Sequence, residues 1–233
     1  MKYSNLIVAV MLGIGLSAQG GIYYQGTVSG GGTQAGSLAN STIYDGNVNG
    51  IWNTMNLSGA SLGGSLSDIK VTLSVTSSGY NGDFYAYLRY NGVLVPLLNR
   101  VGVGTVDGTS AYGYSASGFD NIILNSTSAD IHLNNVTSGT YGADGRTVSP
   151  LSAAVNFYSS ERVTLDARFG GQDPNGEWTL FFADVVAGGG NSTLNGWNLE
   201  ITAVPEPVNV ALGVFGVLFG VVTVVRRRLR RST

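Results

Sequence analysis

The chain has 233 residues, of which 35 are Gly, none is Cys and only 11% are charged. This length is enough for one large domain or two small ones. The rest of the composition, rich in Ser, Thr, Asn and Tyr, is typical of short strands joined by tight turns rather than of helices. Without Cys, no disulfide can contribute to stability.

The first 20 residues have the layout of a secretory signal peptide. Lys2 supplies the positive charge, residues 6–16 form an apolar core, and small residues follow at Ala18 and Gly20. Cleavage is expected after Gly20, with cleavage after Ala18 as the alternative. The apolar core is too short to span a bilayer well. We therefore predict that signal peptidase removes residues 1–20 on export.

The next part of the chain is predicted to form strands. Residues 21–42 are rich in Gly and Ser, and we expect a flexible lead-in or an edge strand there. Alternation of apolar and polar residues begins near Ile43 and is clearest over Asp68–Thr76. The residues of that strand expected to face the core are Val71, Leu73 and Val75. Further strands are predicted at 84–90, 93–98 and 119–124, and in the alternation of Val163, Leu165 and Ala167 into Phe169.

The strongest pattern lies in residues 170–202. A turn at Pro174-Asn175-Gly176 precedes an aromatic strand that begins at Trp178. A Gly-rich loop around Gly188 then leads to Trp197–Thr202, where apolar and polar residues alternate without a break. We predict two strands, each with one buried face, joined by a long loop.

These motifs resemble the closing half of the P domain, also called P/Homo B, of proprotein convertase-like proteases. The matching residues are Gly171–Trp178, Leu180, Asp184 and Thr193–Thr202. The resemblance extends less strictly back to Ile43. It implies an all-β fold, a jelly-roll β-sandwich of the galactose-binding-like type, over residues 43–203. The chain departs from the family at Ser77-Ser78-Gly79, where a His is often found, and at Arg89-Tyr90, where Ser-Pro is common.

The last segment, residues 204–233, has three parts in order. Pro205-Glu206-Pro207 comes first, followed by the apolar run 208–225 and then a basic cluster. The cluster consists of Arg226, Arg227, Arg228, Arg230 and Arg231. Eighteen helical residues at about 1.5 Å each reach about 27 Å, just enough for a transmembrane helix. The basic cluster is expected to stay in the cytoplasm, which places the bulk of the chain outside.

This order of parts resembles the PEP-CTERM sorting tail. The resemblance implies that a membrane transpeptidase of the exosortase type recognises Pro205-Glu206-Pro207 and removes the tail. A plain membrane anchor is the alternative. On either interpretation the protein is exported to the cell envelope or beyond, and it is membrane-anchored until the tail is processed.

The formal net charge of the whole chain is −2, but it hides a more acidic central part because basic residues are concentrated at both ends. Five Arg lie in the tail and Lys2 lies in the signal peptide. Between residues 21 and 207, six basic residues remain against all 14 acidic ones, a net charge of about −8. Such an acidic domain disfavours nucleic acid or anionic lipid as a partner.

Catalytic residues are difficult to find in this sequence. A Ser-His-Asp triad needs a His base, and the one His in the chain, His132, lies between two apolar residues on a predicted strand, where we expect it to face outward. No G-x-S-x-G motif is present. Paired carboxylates of a glycosidase are also not evident, because most Asp residues lie in predicted turns and Glu200 is expected to face outward. We therefore assign no catalytic residue and predict a protein that is not an enzyme.

Two kinds of binding residue remain as candidates. Four carboxylates near predicted loop ends could serve a structural Ca²⁺, although no D-x-D-x-D-G loop exists and no ligand set is assigned. They are Asp83, Asp120, Asp173 and Asp184. Tyr85 and Tyr87 are expected to share the outer face of their strand, where aromatic rings can stack on sugars or pack against a protein partner. Tyr is also simply a good strand former.

The sequence as a whole predicts an exported, non-catalytic β-sandwich of P-domain type, with a structural or adhesive role at the cell envelope or in the extracellular matrix. Extracellular polysaccharide is one candidate partner. Two alternatives remain open: an accessory P domain for a separate secreted subtilisin-like protease, and a carbohydrate-binding module.

Overall fold

The computed structural model describes most of the predicted sandwich and part of the tail. The described ranges are 22–28, 41–57, 65–106, 108–204, 215–216, 218–223 and 226–227. The predicted signal peptide, residues 1–20, and the sorting motif Pro205-Glu206-Pro207 lie outside them. Of the basic cluster, Arg226 and Arg227 are within a described range.

Ten strands and two short helices make up the described domain. The strands are β1 Ile22–Val28, β2 Ser41–Ile43, β3 Asn47–Leu57, β4 Ser65–Ser77, β5 Phe84–Tyr90, β6 Val93–Asn99, β7 Phe119–Asp130, β8 Thr140–Gly142, β9 Gly176–Asp184 and β10 Ser192–Val204. The helices are α1 Ala154–Tyr158 and α2 Leu165–Phe169. Two 3-10 turns, Asn81–Asp83 and Ile131–Leu133, precede β5 and follow β7.

The strands form two sheets that pack face to face. One sheet has the order β1-β10-β4-β7-β8, with β2 also paired to β10, and the other has the order β3-β9-β5-β6. Apart from the parallel pair β7–β8, all pairings are antiparallel. Without β1 and β8, the orders β2-β10-β4-β7 and β3-β9-β5-β6 are those of an eight-stranded jelly roll. The predicted fold class, an all-β sandwich, is confirmed.

The core between the sheets is built by the alternation that the sequence predicts. Val71, Leu73 and Val75 of β4 are all buried, as expected. Each fully buried side chain of this size contributes about 1.5–3 kcal/mol. Trp178 of β9 and Trp197 of β10, the two aromatic residues that mark the predicted closing strands, are among the largest fully buried side chains.

One hydrogen bond crosses the core from sheet to sheet. Trp197 Nε1 donates to Asn53 Oδ1 over 2.9 Å, and both residues are buried. A buried indole N–H needs an acceptor, and Asn53 supplies it from β3 of the opposite sheet. The bond fixes which residues of β3 point inward.

Residues 163–169 do not form the strand that their alternation predicts. Leu165–Phe169 is a helix, and Thr164 caps it by accepting a hydrogen bond from the Ala167 N–H at 3.2 Å. Leu165 and Phe169, four residues apart, are both buried, because this spacing places them on one face of a helix. The prediction was wrong because two apolar residues four positions apart fit the two-residue period of a strand as well as the 3.6-residue period of a helix.

In the segment predicted as a flexible lead-in or an edge strand, the structure describes strand β1. Its pairing with β10 runs from Ile22 opposite Ala203 to Val28 opposite Trp197. Strand β2 pairs with the preceding part of β10, at Ser192–Leu194. The edge-strand alternative therefore holds for the seven residues of β1.

Within the predicted transmembrane run 208–225, the described residues 215–216 and 218–223 are helical. Thr223 Oγ1 donates to the carbonyl of Gly220 at 2.9 Å, a bond typical of Thr inside a helix. Within the described part of the chain, no helix has both the length and the apolar composition needed to cross a membrane.

Candidate functional site

His132 does not face outward on a strand, as the sequence predicted. It lies in the 3-10 turn that ends β7, and it is 1% exposed. The turn forms because Asp130 accepts a hydrogen bond from the His132 N–H at 3.0 Å and caps the segment. Strand alternation stops there, so it no longer predicts which way the imidazole points.

A charged cluster surrounds His132. Asp144, which is fully buried, accepts from His132 Nδ1 at 2.6 Å and from Arg146 Nη1 at 3.2 Å. Arg146 and Arg162 also pair with Asp130, at 3.0 and 3.1 Å. We call these five residues, Asp130, His132, Asp144, Arg146 and Arg162, the His132 cluster. It joins the end of β7 to two irregular segments that have few strand pairings of their own.

The His132 cluster is saturated by its own bonds. The second ring nitrogen of His132, Nε2, lies 2.8 Å from the carbonyl of Val103, which can only accept. Both ring nitrogens are therefore occupied, and no Ser hydroxyl is bonded to either. A general base needs a free nitrogen directed at the group that it deprotonates. The geometry supports a structural role for His132.

A second cluster of carboxylates lies at one end of the paired strands β3, β9 and β5. Asp184, the last residue of β9, lies opposite Asn47 of β3 and Phe84 of β5, which places it beside Asp83. Asp184 is fully buried, with Oδ1 accepting from the Val186 N–H and Oδ2 lacking a hydrogen-bond partner. Burial, opposed by the Val186 bond and assisted by the charge of Asp83, raises the pKa of Asp184 to about 6.

Two carboxylates near Asp184, those of Asp83 and Asp45, have pKa values shifted in opposite directions. Burial raises the pKa of Asp83, while the nearby Arg100 opposes that rise. Asp45 has a lowered pKa, mainly because the Gly188 N–H donates to its carboxylate. Each Asp45 oxygen lies 3.0 Å from that nitrogen. Asp45 thereby fastens the Gly-rich loop that joins β9 to β10.

The four carboxylates suggested for Ca²⁺ do not come together. Asp83 and Asp184 are neighbours, but Asp120 lies on β7 with its side chain bonded to Asn121. Asp173 accepts from the N–H of Asn175 at 2.9 Å, and so shapes the turn before β9. Among the described residues, no group of three or more His, Asp or Glu side chains is placed to hold a metal ion. These donors do not fit a Ca²⁺ site.

The outer face of the four-stranded sheet carries a row of aromatic side chains. Trp52 of β3 and Tyr87 of β5 both lie opposite Phe181 of β9, so the three rings form one line across the sheet. Tyr87 and Phe181 stack with centroids 4.8 Å apart and planes 10° from parallel. Trp52 remains 39% exposed. We call Trp52, Phe181 and Tyr87 the aromatic row.

Tyr85 and Tyr87 both lie on this outer face, as predicted, but they are not equivalent. Tyr85 packs beside Tyr87, and burial raises its pKa to about 12. Tyr85 therefore packs against one side of the aromatic row. Tyr87 itself lines a shallow groove of about 370 Å³ along with Trp52 and Phe181. This volume lies within the range of small-ligand clefts.

The sequence did not single out Trp52 and Phe181. Alternation indicates that both face away from the core, since their neighbours Asn53 and Phe182 are buried. Only the strand order β3-β9-β5, which joins segments more than 90 residues apart in the chain, places them beside Tyr87.

Asp144→Asn should destabilise the fold by about 3–5 kcal/mol, because it leaves the buried His132 without its carboxylate and removes one of the two carboxylates that pair with Arg146. The measurement is guanidinium unfolding followed by Trp fluorescence. Glu161→Gln is the matched control, since Glu161 is exposed and its side chain makes no bond among the described residues. A loss below about 1 kcal/mol for Asp144→Asn would mean that the cluster contributes little.

Asp184→Asn should raise stability at pH 8 by roughly 2–3 kcal/mol, since about two pKa units at 1.36 kcal/mol each are removed. The folded-state pKa of about 6 exceeds the ordinary 3.8, so the native state holds the extra proton between those values. Wild-type stability from this group therefore falls as pH rises from about 4 to 6 and is then constant.

The check is the melting temperature of both proteins between pH 4 and 8. The variant should lack the wild-type decline, whereas Asp120→Asn, at an exposed position of β7, should keep it. Identical pH profiles for wild type and Asp184→Asn would contradict the assignment.

Comparisons with known proteins give weak structural similarity and no family. No family model matches the chain, and no curated protein matches it. Among solved structures, the serine protease of Aeromonas sobria is similar with a TM-score of 0.38 and 13% identity, over 78% of this chain. The complex of that protease with its chaperone gives a TM-score of 0.40 and 13% identity, over 79% of this chain. The likeness spans 26% and 27% of the length of the matched chains.

Proposed function

We propose that this protein is an exported, non-catalytic β-sandwich with an adhesive role, which binds extracellular polysaccharide through the aromatic row. The observation that carries the proposal is the line of Trp52, Phe181 and Tyr87 on an outer sheet face. Trp52, which is 39% exposed beside the stacked rings of Tyr87 and Phe181, gives a sugar ring an apolar surface to pack on. The signal peptide and the sorting tail predicted from the sequence deliver this face to the envelope or matrix.

The absence of catalysis in this proposal is supported by the bonding of His132. Each of its ring nitrogens is hydrogen-bonded to an internal oxygen. The aromatic groove, lined by Asn49, Thr54 and Thr179 besides its three rings and Arg89, contains no carboxylate. A glycosidase needs two carboxylates flanking the bond that it cleaves. Binding without cleavage is the chemistry that the groove supports.

The polar lining of the groove fits the same role. Thr54 and Thr179 lie opposite each other on β3 and β9, and their hydroxyls are bonded at 3.0 Å. Hydroxyl groups beside aromatic rings can bond to the hydroxyls of a sugar while its ring stacks. The groove therefore offers both kinds of contact that sugar recognition uses.

Trp52→Ala and Tyr87→Ala should each weaken retention of the full chain by polysaccharide isolated from its producing culture, by about tenfold, because each removes a stacking ring. Affinity electrophoresis measures the retention. Tyr112→Ala is the matched control, since Tyr112 is 83% exposed and lies outside the groove. Equal retention of wild type and both groove variants, each shown to be folded by circular dichroism, would overturn the polysaccharide role.

The sorting part of the proposal has its own test. The intact mass of protein recovered from the envelope should show loss of residues 1–20 and of the tail beyond Pro205-Glu206-Pro207. Glu206→Ala should leave the tail attached, because exosortase would no longer recognise the motif.

If wild type keeps its tail, the segment is a plain membrane anchor and the exosortase role is wrong. Purification from the same cells also tests the alternative of an accessory domain. A subtilisin-like protease that is recovered with the wild-type protein would favour that alternative.

A further inference from the structure

The outer sheet face continues past the aromatic row into a polar row. Two residues further along β3, Trp52 is followed by Thr54, and on β5 Tyr87 is followed by Arg89. On β9, which is antiparallel to both, Phe181 is preceded by Thr179, which lies opposite Thr54 and Arg89. Arg89 and Thr179 line the aromatic groove and also an adjoining groove of about 330 Å³. The two grooves thus form one trough with a guanidinium at its middle.

Arg89 differs from most other cations of the domain. Lys70 pairs with Glu200 at 2.8 Å, and Arg146 and Arg162 belong to the His132 cluster. Arg100 is half-buried near Asp83, and burial lowers its pKa. Arg89 is exposed and makes no ion pair among the described residues, a property that it shares with Arg168 on α2. A free guanidinium beside stacked aromatic rings points to a ligand that is both ring-shaped and anionic.

We propose that the trough recognises a uronic-acid polysaccharide, with a sugar ring packed over the aromatic row and its carboxylate paired with Arg89. The inference rests on the proposed function and specifies the chemical class of its ligand. Arg binds a carboxylate through two parallel N–H···O bonds, which adds direction as well as attraction. Thr54 and Thr179 would bond to ring hydroxyls between the two anchors.

The spacing suits such a ligand. Residues two apart on one strand face lie about 6.8 Å from each other, which separates the α-carbons of Tyr87 and Arg89. The carboxylate of a uronic acid projects from the edge of its ring, so a ring on the aromatic row presents it toward the next row. The long side chain of Arg89 can cover the remaining gap.

The charge of the rest of the domain limits affinity but does not forbid binding. The exported domain carries about −8, and Glu177 lines the adjoining groove on the far side of Arg89. Charges more than about 8 Å away are largely screened at physiological ionic strength, so Glu177 is the acidic side chain that matters most. Removal of its charge should strengthen binding, whereas removal of the Arg89 charge should weaken it.

The experiment compares two probes on the full chain purified in detergent. One is a hexamer of galacturonic acid, and the other is the same hexamer with every carboxyl methyl-esterified. Isothermal titration should show at least about tenfold tighter binding of the free acid, the size of one added charge-assisted contact. Arg89→Gln should abolish that preference, and Glu177→Gln should increase it about threefold. Arg168→Gln is the matched control and should leave the preference unchanged.

The remaining outcomes distinguish failure of the uronate inference from failure of the proposed function. Equal binding of both probes, lost in Trp52→Ala, overturns the uronate inference and leaves the polysaccharide role standing. A preference for the free acid that survives Arg89→Gln also overturns it. If neither probe binds while culture polysaccharide is still retained, the uronate inference is wrong alone. If nothing is retained, the proposed function fails first.

Discussion

The hydrogen bond from Trp197 to Asn53 favours one register of β3 in the four-stranded sheet. It joins the two sheets through the core, where an unpaired indole N–H would be costly. Because side chains of a strand alternate, Asn53 pointing inward obliges Trp52 and Thr54 to point outward. A slip of one residue in β3 would bury Trp52 and expose Asn53. An interaction in the core thus determines which side chains are available outside.

Two clusters of ionisable side chains hold irregular parts of the chain. The irregular segments that follow β7 have few ladder bonds, and the His132 cluster holds them with five mutually paired ionisable groups. At the other cluster, Asp45 holds the Gly-rich loop while Asp184 remains buried with an oxygen unbonded. The ionised carboxylate of Asp184 weakens the fold at neutral pH, because its pKa is raised by burial to about 6. Both ring nitrogens of His132 are bonded within the first cluster, whereas Asp83 of the second cluster lines a groove of about 300 Å³.

The sequence predicted the sandwich well because its core depends on alternation, which is local. The strands that contain Trp178 and Trp197 were recognised from turns and period alone. His132 was misassigned because Asp130 ends the strand by capping a turn, and nothing in Ile131-His132-Leu133 itself reveals this. The aromatic row was only half predicted. Tyr87 is visible as an outward residue, but its partners Trp52 and Phe181 are adjacent only through non-local strand order.

The position at which β10 ends bears on the proposed adhesive role. Strand β10, which precedes the predicted sorting tail, belongs to the six-stranded sheet. The aromatic row lies on the outside of the other sheet, so its rings and the end of β10 occupy different layers of the sandwich. This separation agrees with the proposed adhesive role, in which the trough faces the surrounding matrix.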